Sequence, residues 1–598
     1  MDKIAVLDFG GQYAHLIANR VRRLNVFSEI FEGDTPAEKL REFKGIILSG
    51  GPQSVYDEDS LKCDPGILEL GVPLLGICYG HQALAYVQGA KVEPADFREY
   101  GLAEMKITKA KGLFDGLNPT EIVWMSHGDS VKELPPGYEV IGESPGENAA
   151  IANFEKNFYG VQFHLEVTHT AAGMKMLNNF LNLCNVKREW KIDDFIAAEM
   201  ELVRKKVGKK KVFMMVSGGV DSTVAFALLE KALGPDRVFG LFVDTGFLRL
   251  NERTEVEEAL KSLGFNNLHV RDASKRYFEA LQDRYDPEAK RKIIGDLFVK
   301  AQAEIVEELK LNPEEWLLGQ GTIYPDTIET GGTKYAAKIK THHNRVEQIE
   351  KLMKEGKVIE PLAQLYKDEV REVGMKLGLP EKLVWRHPFP GPGLAVRCLC
   401  IQEAVPVEHQ STLEKNINEE VAKFGLQGKV LPIQSVGVQG DFRTYRHPLV
   451  LMGASDFKTL GKLATKLINQ FQEINRVIWL QHPNKIESVK VQNSYLTRER
   501  IKLLQQADAK VNEFMEKHSL SRQIWQFPTV LIPVSINREN GEAIVLRPVC
   551  SEEAMTANFY EMDLKLLKNL TEEIMTVPGI TAVFYDVTNK PPGTIEWE

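Results

Sequence analysis

Two junctions in the chain lead from a short apolar stretch through a glycine-containing turn into a helical pattern. The first runs from residues 74–77 into Gly-Ile-Cys-Tyr-Gly at 76–80, and the second from residues 212–216 into Ser-Gly-Gly at 217–219. Short apolar runs bounded by glycine are typical of strands that are buried on both faces of a parallel sheet. Because a helix follows each strand, the junctions predict two separate α/β sheets.

The chain has 598 residues, too many for one hydrophobic core, and its length favours roughly three or four folding units. We predict a multidomain α/β fold, with open and mostly parallel sheets at residues 1–187 and 192–399. Residues 400–598 are predicted to form an α+β region. Two stretches of it, starting at residues 436–438 and 529–532, share the order strand, acidic turn, strand, long helix and strand. This shared order predicts an internal duplication.

Composition and charge exclude several classes of protein. Hydrophobic residues make up 43% and charged residues 26%, which excludes disordered, collagen-like and membrane classes. The 74 basic and 83 acidic residues give a net charge of −9 without a strongly basic domain, which argues against nucleic-acid binding. The chain starts without the pattern of a secretory signal, so we expect a cytoplasmic protein. Its six cysteines include no CxxC pair, so neither a disulfide framework nor a zinc site is favoured.

Cys78 lies between the glycines of the first junction, at the predicted start of a helix. A strand that turns sharply into a helix at GxCxG matches a nucleophile elbow with sulfur in place of oxygen. The helix dipole at this position favours a thiolate. A buried structural cysteine would explain Cys78 alone equally well, so its candidate partners decide between the two interpretations.

His164 and Glu166 supply a candidate base and its orienting carboxylate. They lie two residues apart in a stretch that begins like a strand. In an extended backbone such residues point the same way, so Glu166 can orient the imidazole while His164 takes the thiol proton. Gly50 and Gly51, beyond another predicted strand, offer bare amides that can stabilise an oxyanion.

Together these segments resemble the class I glutamine amidotransferase family over the first predicted domain. The resemblance implies that Cys78 attacks the side-chain amide of glutamine, with His164 and Glu166 as the other catalytic residues, and that a glutamyl thioester forms as ammonia is released. Leu165 departs from the family, which usually has proline there, but both flanking functional side chains remain and we expect activity to survive. The resemblance also assigns three residues to oxyanion and glutamine binding: Gly51, Tyr79 and Gln82.

The second junction predicts a phosphate-binding turn at a helix N-terminus, where amides and hydroxyls converge. The lysine of a Walker loop is absent, which disfavours transfer of a γ-phosphate. A glycine turn with a serine cap is the alternative explanation. The residues predicted to bind ATP are Ser217, Gly218, Gly219, Val220, Asp221, Ser222 and Thr223, with Val243 and Asp244 at the end of the next strand.

The same turn resembles the signature of N-type ATP pyrophosphatases. These enzymes transfer AMP to a substrate oxygen and release pyrophosphate. The resemblance implies that Asp221 helps to hold a magnesium ion with the pyrophosphate of ATP. Oxygen ligands and phosphates are the usual setting of Mg²⁺, so we expect Mg²⁺ with ATP as the cofactor.

Four further stretches, at residues 319–329, 339–344, 387–397 and 590–598, resemble the GMP synthetase family. This resemblance implies that the small-molecule substrates are glutamine, ATP and xanthosine monophosphate (XMP). ATP would adenylate the C2 oxygen of XMP, and ammonia would then displace AMP to give GMP. Removal of residues 590–598 is expected to abolish XMP-dependent ATP use in a protein that still folds.

By the same resemblance, one loop forms a mobile lid and a set of dispersed residues binds XMP. Charged groups on a lid can stabilise the transferring phosphate after closure. The lid residues are Glu329, His342 and His343, together with Lys340 as a catalytic residue. The residues expected to contact XMP are Arg291, Asp441, Gln526, Lys590 and Glu596.

Ala582 departs from this family, because many relatives carry arginine eight residues before the terminal lysine. A phosphate contact is therefore expected elsewhere. The duplication resembles the extended forms of the family rather than the shorter forms, which pair through a single C-terminal domain, so a monomer and a homodimer both stay open. Two other functions are disfavoured: an ATP-dependent amidase or thiolase acting on another acceptor, such as tRNA, and a nucleotide-binding regulator with an idle triad.

Overall fold

The computed structural model describes residues 1–11, 13–57, 60–144, 147–308, 314–329, 357–439, 442–551 and 557–598. These residues form two compact units. The first contains residues 1–199, 322–329 and 362–369. The second contains residues 200–321, 357–361 and 370–598. The domain boundaries expected near residues 187–192 and 399–400 stay a prediction.

Strands and helices alternate through most of the chain. The strands are β1 (Lys3–Asp8), β2 (Phe27–Glu32), β3 (Gly45–Leu48), β4 (Leu74–Ile77), β5 (Lys91–Ile107), β6 (Thr120–Glu133), β7 (Glu139–Ser144), β8 (Glu147–Asn153), β9 (Phe158–Val161), β10 (Lys211–Met215), β11 (Val238–Asp244), β12 (Leu268–Asp272), β13 (Trp316–Gly319), β14 (Val358–Ile359), β15 (Gln427–Val430), β16 (Ser435–Gln439), β17 (Phe442–Met452), β18 (Ile474–His482), β19 (Val489–Val491), β20 (Thr529–Ile532), β21 (Val534–Ile536), β22 (Glu542–Leu546), β23 (Val549–Cys550), β24 (Asn558–Phe559) and β25 (Ile580–Asp586). The α-helices are α1 (Ala14–Arg23), α2 (Tyr79–Tyr86), α3 (Gly173–Leu183), α4 (Ile192–Val207), α5 (Val220–Leu233), α6 (Glu252–Ser262), α7 (Ser274–Ala280), α8 (Pro287–Glu308), α9 (Tyr324–Glu329), α10 (Lys367–Lys376), α11 (Glu381–Val384), α12 (Gln410–Val421), α13 (Phe457–Gln470), α14 (Arg498–Lys517) and α15 (Leu564–Met575). Along the part of the chain that is described, no helix is both long and apolar enough to span a membrane.

The first unit is built on a nine-stranded sheet in the order β2-β1-β3-β4-β9-β8-β7-β5-β6. The five strands from β2 to β9 are parallel, as the apolar runs predict, and β5 to β8 extend the sheet with antiparallel pairing. Helices α1 and α3 pack on one face and α2 on the other. Because β4 and β9 are parallel neighbours, their carboxyl ends lie at the same edge, where Cys78 follows one strand and His164 the other.

The second unit contains a five-stranded parallel sheet in the order β12-β11-β10-β13-β14. The predicted strands at residues 212–216 and 239–244 correspond to β10 and β11. The predicted phosphate-binding turn follows β10, and Asp244 ends β11. Both therefore lie at the carboxyl edge of the sheet, where open α/β sheets bind ligands.

A seven-stranded sheet in the second unit contains the expected duplication. Its order is β15-β17-β18-β25-β22-β20, with β16 also paired to β17. Each half has an antiparallel outer pair, a parallel inner pair and a helix between the two inner strands, and β18 joins β25 antiparallel at the centre. One detail of the prediction is wrong: β15, not residues 436–438, is the counterpart of β20. The mixed Gln-Gly-Lys-Val sequence of β15 gives a weak strand signal.

Candidate active sites

Cys78 lies in a strained turn between β4 and α2. Its φ and ψ are 51° and −111°, a conformation that non-glycine residues rarely adopt. The adjacent glycines permit the turn, since a Cβ on Gly76 would lie 2.5 Å from the carbonyl oxygen of Gly80, and a Cβ on Gly80 would lie 2.2 Å from that of Leu48. This is the arrangement expected of a nucleophile elbow.

His164 and Glu166 form the expected pair, with His164 Nδ1 2.6 Å from Glu166 Oε1. Both are buried, but not on a strand as the spacing predicts, because β9 ends at Val161. Two bonds hold the loop instead: the His164 amide donates to Trp124 O at 2.9 Å, and the Thr170 hydroxyl donates to His164 O at 2.6 Å. The pairing of His164 with Glu166 is thus produced by tertiary contacts and not, as the spacing predicts, by the alternation of side chains along a strand.

The pKa of His164 reflects opposing influences. Burial disfavours the imidazolium, but the charge of Glu166, hydrogen bonds to Cys78 and Glu166 and the charge of Cys78 together raise the pKa well above its ordinary value. A His164 that holds a proton beside Cys78 stabilises the sulfur as a thiolate. The environment therefore suits a thiolate–imidazolium pair.

Several groups around this pair carry no signal in the sequence. The Cys78 thiol lies 3.5 Å from Ser126 O, and the ring of Tyr13 lies 5.1 Å from that of His164. Arg20 Nε donates to the carbonyl oxygen of Glu166 at 3.2 Å. These residues are remote from one another in sequence, so only the folded chain brings them together.

Of the residues expected to bind glutamine or the oxyanion, Gly51 and Tyr79 lie next to each other. A Cβ on Gly50 would lie 3.0 Å from His164 Cε1, whereas one on Gly51 would lie 3.2 Å from Tyr79 Cγ. Gly50, the other glycine of that predicted turn, is thus the one beside His164. Tyr79 begins α2, and its buried hydroxyl donates to Leu61 O at 2.6 Å.

Gln82 is nearly fully buried and is held by protein groups. Its Nε2 donates to Asp129 O at 2.8 Å and to Gln162 Oε1 at 3.2 Å. Gln162 Nε2 in turn lies 3.9 Å from Cys78 Sγ. Gln82 is thus linked to Cys78 through Gln162, which lies in the same motif as His164.

The phosphate-binding turn of the second unit is ordered by its own hydroxyl groups. Ser217 Oγ lies 3.0 Å from Ser222 Oγ and accepts from the Gly219 amide at 3.2 Å, and the Thr223 hydroxyl donates to Gly219 O at 2.8 Å. Gly218 has a φ of 79°, which favours glycine. Val220 begins α5, so the turn leads into a helix N-terminus as predicted.

The donor atoms at this turn fit a magnesium ion that is bound together with nucleotide phosphates. Asp221 lies in the first turn of α5, close in sequence to the hydroxyls of Ser217 and Ser222, and all three supply oxygen atoms. In the described part of the chain, no group of three or more histidine, cysteine, aspartate or glutamate side chains could hold a metal by itself. Phosphate oxygens would therefore have to complete the coordination.

A polar cavity of about 370 Å³ opens beside Asp244, at the ends of β11 and β12. Asp244 pairs in register with Asp272, and Arg253 lies 3.9 Å from the Asp244 carboxylate. Val243, the other residue predicted here, is buried against the sheet core rather than lining the cavity. The structure thus brings Asp244, but not the side chain of Val243, to the ligand-binding edge.

The carboxyl-terminal segment, residues 590–598, is anchored by buried cations. Glu596 accepts hydrogen bonds from Arg397 at 2.8 and 3.1 Å, and Arg397 is fully buried. Lys290, also fully buried, contacts the side chain of Glu598, and Arg291 Nη2 donates to the carbonyl oxygen of the same residue. Arg291 and Glu596, two of the residues predicted to contact XMP, therefore both take part in holding this segment.

Gln526 and Lys590 each make a hydrogen bond to a main-chain carbonyl oxygen in the same unit. Gln526 Nε2 donates to Pro388 O at 2.8 Å, which ties it to the motif that also contains Arg397. The main chain of Lys590 pairs with Ala557, its amide donating at 2.7 Å. The remaining predicted residues, Lys340, His342, His343 and Asp441, lie outside the described residues, and of Glu329 only the backbone is described, as the last residue of α9.

Three family models match successive parts of the chain. They are glutamine amidotransferase class-I over residues 5–184, NAD synthase over 191–305 and the GMP synthase C-terminal domain over 513–597. The probable glutamine-hydrolysing GMP synthase of Leptospira interrogans is 47% identical, over 100% of this chain and 99% of its own. The chain belongs to the glutamine-hydrolysing GMP synthase family.

Members of the GMP synthase family differ in how much of this chain they match. The member from Dictyostelium discoideum is 37% identical over 99% of this chain and 94% of its own, whereas that from Lactobacillus gasseri is 45% identical over only 80% of this chain but 96% of its own. The chain is thus longer than some family members. A solved glutamine amidotransferase from Thermotoga maritima is 20% identical, with a TM-score of 0.26, over 32% of this chain and 99% of its own.

Proposed function

We propose that this protein makes GMP from XMP, using glutamine as the nitrogen donor and ATP to activate the acceptor. The observation that carries the proposal is the Cys78 elbow beside a His164–Glu166 pair joined at 2.6 Å, in a chain whose second sheet bears a phosphate-binding turn. A thiol nucleophile can release ammonia from glutamine. The phosphate-binding turn can bind the ATP that adenylates the acceptor, a step that the thiol cannot perform. Family membership names the acceptor.

In the first half-reaction, the Cys78 thiolate attacks the side-chain carbonyl of glutamine. Amides near Gly50, Gly51 and Tyr79 are placed to stabilise the negative oxygen of the tetrahedral intermediate. His164 then gives its proton to the departing nitrogen, leaving a glutamyl thioester and ammonia. Water attacks the thioester with His164 as base, which releases glutamate and restores the thiol.

In the second half-reaction, the C2 oxygen of XMP attacks the α-phosphorus of ATP, and pyrophosphate leaves. The turn from Ser217 to Thr223 holds the pyrophosphate through amides and hydroxyls, with Asp221 and Asp244 at the same edge of the sheet. Bound Mg²⁺ would neutralise developing charge on the phosphates. Ammonia then attacks C2 of adenylyl-XMP and displaces AMP, giving GMP.

On the basis of the resemblance to the GMP synthetase family, we assign XMP recognition to the C-terminal region and the lid. Arg291 and Lys590 carry charges that suit the phosphate of XMP, while Gln526 and Glu596 suit hydroxyls or the purine edge. Arg291 contacts the terminal segment that carries Glu596, which supports their joint role. The other residues of the proposal are Asp441 for XMP, and Lys340, Glu329, His342 and His343 on the lid.

The partners that this function requires are three small molecules: glutamine, ATP and XMP. The acidic balance of the chain, with a net charge of −9, supports neither a nucleic-acid partner nor a membrane surface. We place the enzyme in the cytoplasm and propose that it acts as a monomer or a homodimer.

Replacing the nucleophile separates the two half-reactions. In C78A we expect GMP formation from glutamine to fall below detection, because no thioester can form, while GMP formation from ammonium stays within about two-fold of wild type. The measurement follows GMP, AMP and pyrophosphate with either nitrogen source. The half-buried Cys550, replaced by alanine, is the matched control, and this variant should lose neither activity. Wild-type enzyme that releases no pyrophosphate from ATP, XMP, Mg²⁺ and ammonium would refute the proposal.

A further inference from the structure

An approximate two-fold axis relates the two halves of the seven-stranded sheet. At its centre, the antiparallel pairing of β18 with β25 includes three consecutive register pairs, Ile478 with Asp586, Trp479 with Tyr585, and Leu480 with Phe584, before the register shifts between Leu480 and His482. Exchanging the two strands converts the first pair into the third and leaves the middle pair in place. The axis therefore passes between Trp479 and Tyr585, and residues 474–480 of β18 have counterparts at residues 580–586 of β25.

The axis assigns Arg476 as the counterpart of Ala582. The neighbouring strands agree, because Arg476 pairs with Pro448 of β17 and Ala582 pairs with Ala543 of β22 at equivalent places in the two parallel pairs. Ala582 is the position where the sequence departs from many relatives in having no arginine. The first copy of the duplicated unit therefore has an arginine, Arg476, at the position where the second copy has Ala582.

Three of the five hydrogen bonds that the Arg476 guanidinium makes reach the terminal segment, and the other two go to Val436 O and Asp586. Its Nη2 lies 3.0 Å from Thr594 O, 2.6 Å from Thr594 Oγ1 and 2.8 Å from Glu596 O. Its Nη1 donates to Asp586 Oδ2 at 2.9 Å, and its plane lies 5.0 Å from the ring of Trp597. One side chain thus fixes the main chain on both sides of residue 595.

Arg476 cannot touch a bound nucleotide, because its side chain is fully buried. Burial lowers the pKa of Arg476 to about 10, with Asp586 opposing the shift, so the group keeps its charge at neutral pH. We infer that Arg476 is a positioning residue of the acceptor site: it holds Thr594 to Glu596 so that the Glu596 side chain meets the purine of XMP. This inference rests on the proposed XMP site.

Arg547 provides a comparison within the same cluster. It is also fully buried, and it shares the Asp586 carboxylate at 3.1 Å. Its hydrogen bonds in this region go to the carbonyl oxygen of Thr588, just before the terminal segment, and to that of Thr594 within the segment. Arg547 therefore matches Arg476 in burial and ion pairing but does not contact residue 596.

The substitution R476K retains the charge beside Asp586 and removes the planar fork that binds several oxygens at once. With ammonium as nitrogen source, we expect the KM for XMP to rise about ten-fold or more, with kcat and the KM for ATP within about two-fold of wild type. A purely structural role would instead lower kcat through loss of folded enzyme. In the E596Q background, R476K should have little further effect on the KM for XMP, since it acts through Glu596.

R547K is the matched control, and its KM for XMP should change by less than about three-fold. An unchanged KM for XMP in folded R476K would overturn the inference, as would an equal rise in R547K. If R476K does not fold, T594V decides, because it removes the hydroxyl that contacts Arg476, Val436 O and Glu596 O and leaves the bond from Arg476 to Thr594 O in place. A raised KM for XMP supports the inference and an unchanged one overturns it. Absence of XMP-dependent pyrophosphate release in wild type would instead refute the proposed function.

Discussion

Cys78 is held in a backbone conformation that costs free energy to form. A non-glycine residue at a φ of 51° is strained by about 1–3 kcal/mol, which the surrounding fold must offset. The strain has a use, because it turns the sulfur out of the strand toward His164 at the start of α2. Replacing either flanking glycine would press a Cβ into a carbonyl oxygen, so the nucleophile depends on its neighbours as much as on its own side chain.

The protonation of His164 depends on Glu166. In E166Q the carboxylate charge that opposes burial is lost, so the pKa of His164 falls, and the imidazolium, which is present below that pKa, is lost at a lower pH than in wild type. We expect the limb of the glutaminase pH profile that reports His164 to move toward acid, with kcat lower by about 10²-fold or more. The measurement is kcat/KM for glutamine hydrolysis as a function of pH.

The control for E166Q is E155Q, which neutralises an exposed glutamate of the same unit. Its profile should coincide with that of wild type. A profile of E166Q that also coincides with wild type would show that Glu166 does not set the charge of His164.

The sequence was sufficient to select Cys78, His164 and Glu166 as candidate catalytic residues, because each lies in a short motif whose residue types suit one reaction. It could not find Ser126, Tyr13 or other groups that contact them, since those contacts join distant parts of the chain. It also placed His164 on a strand, although the chain leaves β9 at Val161 and the loop is held by Trp124. Local spacing predicts which side chains belong together, but long-range bonds decide how they meet.

At the scale of elements, the terminal segment behaves as part of the core of the second unit. Trp597 is fully buried and Glu598 nearly so. The cations that bind the segment, including Lys290, Arg397 and Arg476, have no exposed surface of their own. From the sequence we expected that residues 590–598 could be removed without unfolding the protein. The burial of this segment argues against that expectation.

Deleting residues 590–598 should therefore destabilise the protein as well as abolish XMP-dependent ATP use. Each buried cation that loses its partner costs about 3–5 kcal/mol, so we expect a clearly lower midpoint of thermal unfolding. Calorimetry of the deletion variant against wild type measures this. K590M is the control: it keeps the segment and should lose XMP-dependent activity with an unfolding midpoint close to wild type. A deletion variant as stable as wild type would contradict the prediction.

At the scale of the whole molecule, the alternation of apolar strands and helices was enough to predict the parallel strands of the first two sheets, and the repeated order of elements predicted the duplicated region. The pairing within the duplication was harder, since β15 has few strand-forming residues and was passed over in favour of residues 436–438. Sequence also gave no sign that the two copies share one sheet, because the pairing of β18 with β25 joins residues that are far apart in the chain.

That shared sheet predicts the oligomeric state. In each copy the inner strand, β18 or β25, would leave an open edge if the copy stood alone, and an open edge invites pairing with a second subunit. Here the two inner strands pair with each other around Trp479 and Tyr585, so the need for a partner strand is met within one chain. We expect a single species of about 67.4 kDa in sedimentation velocity, with a sedimentation coefficient that does not rise with protein concentration. Addition of XMP with ATP should not change the mass. A concentration-dependent shift toward twice that mass would show that the duplication does not replace a subunit contact.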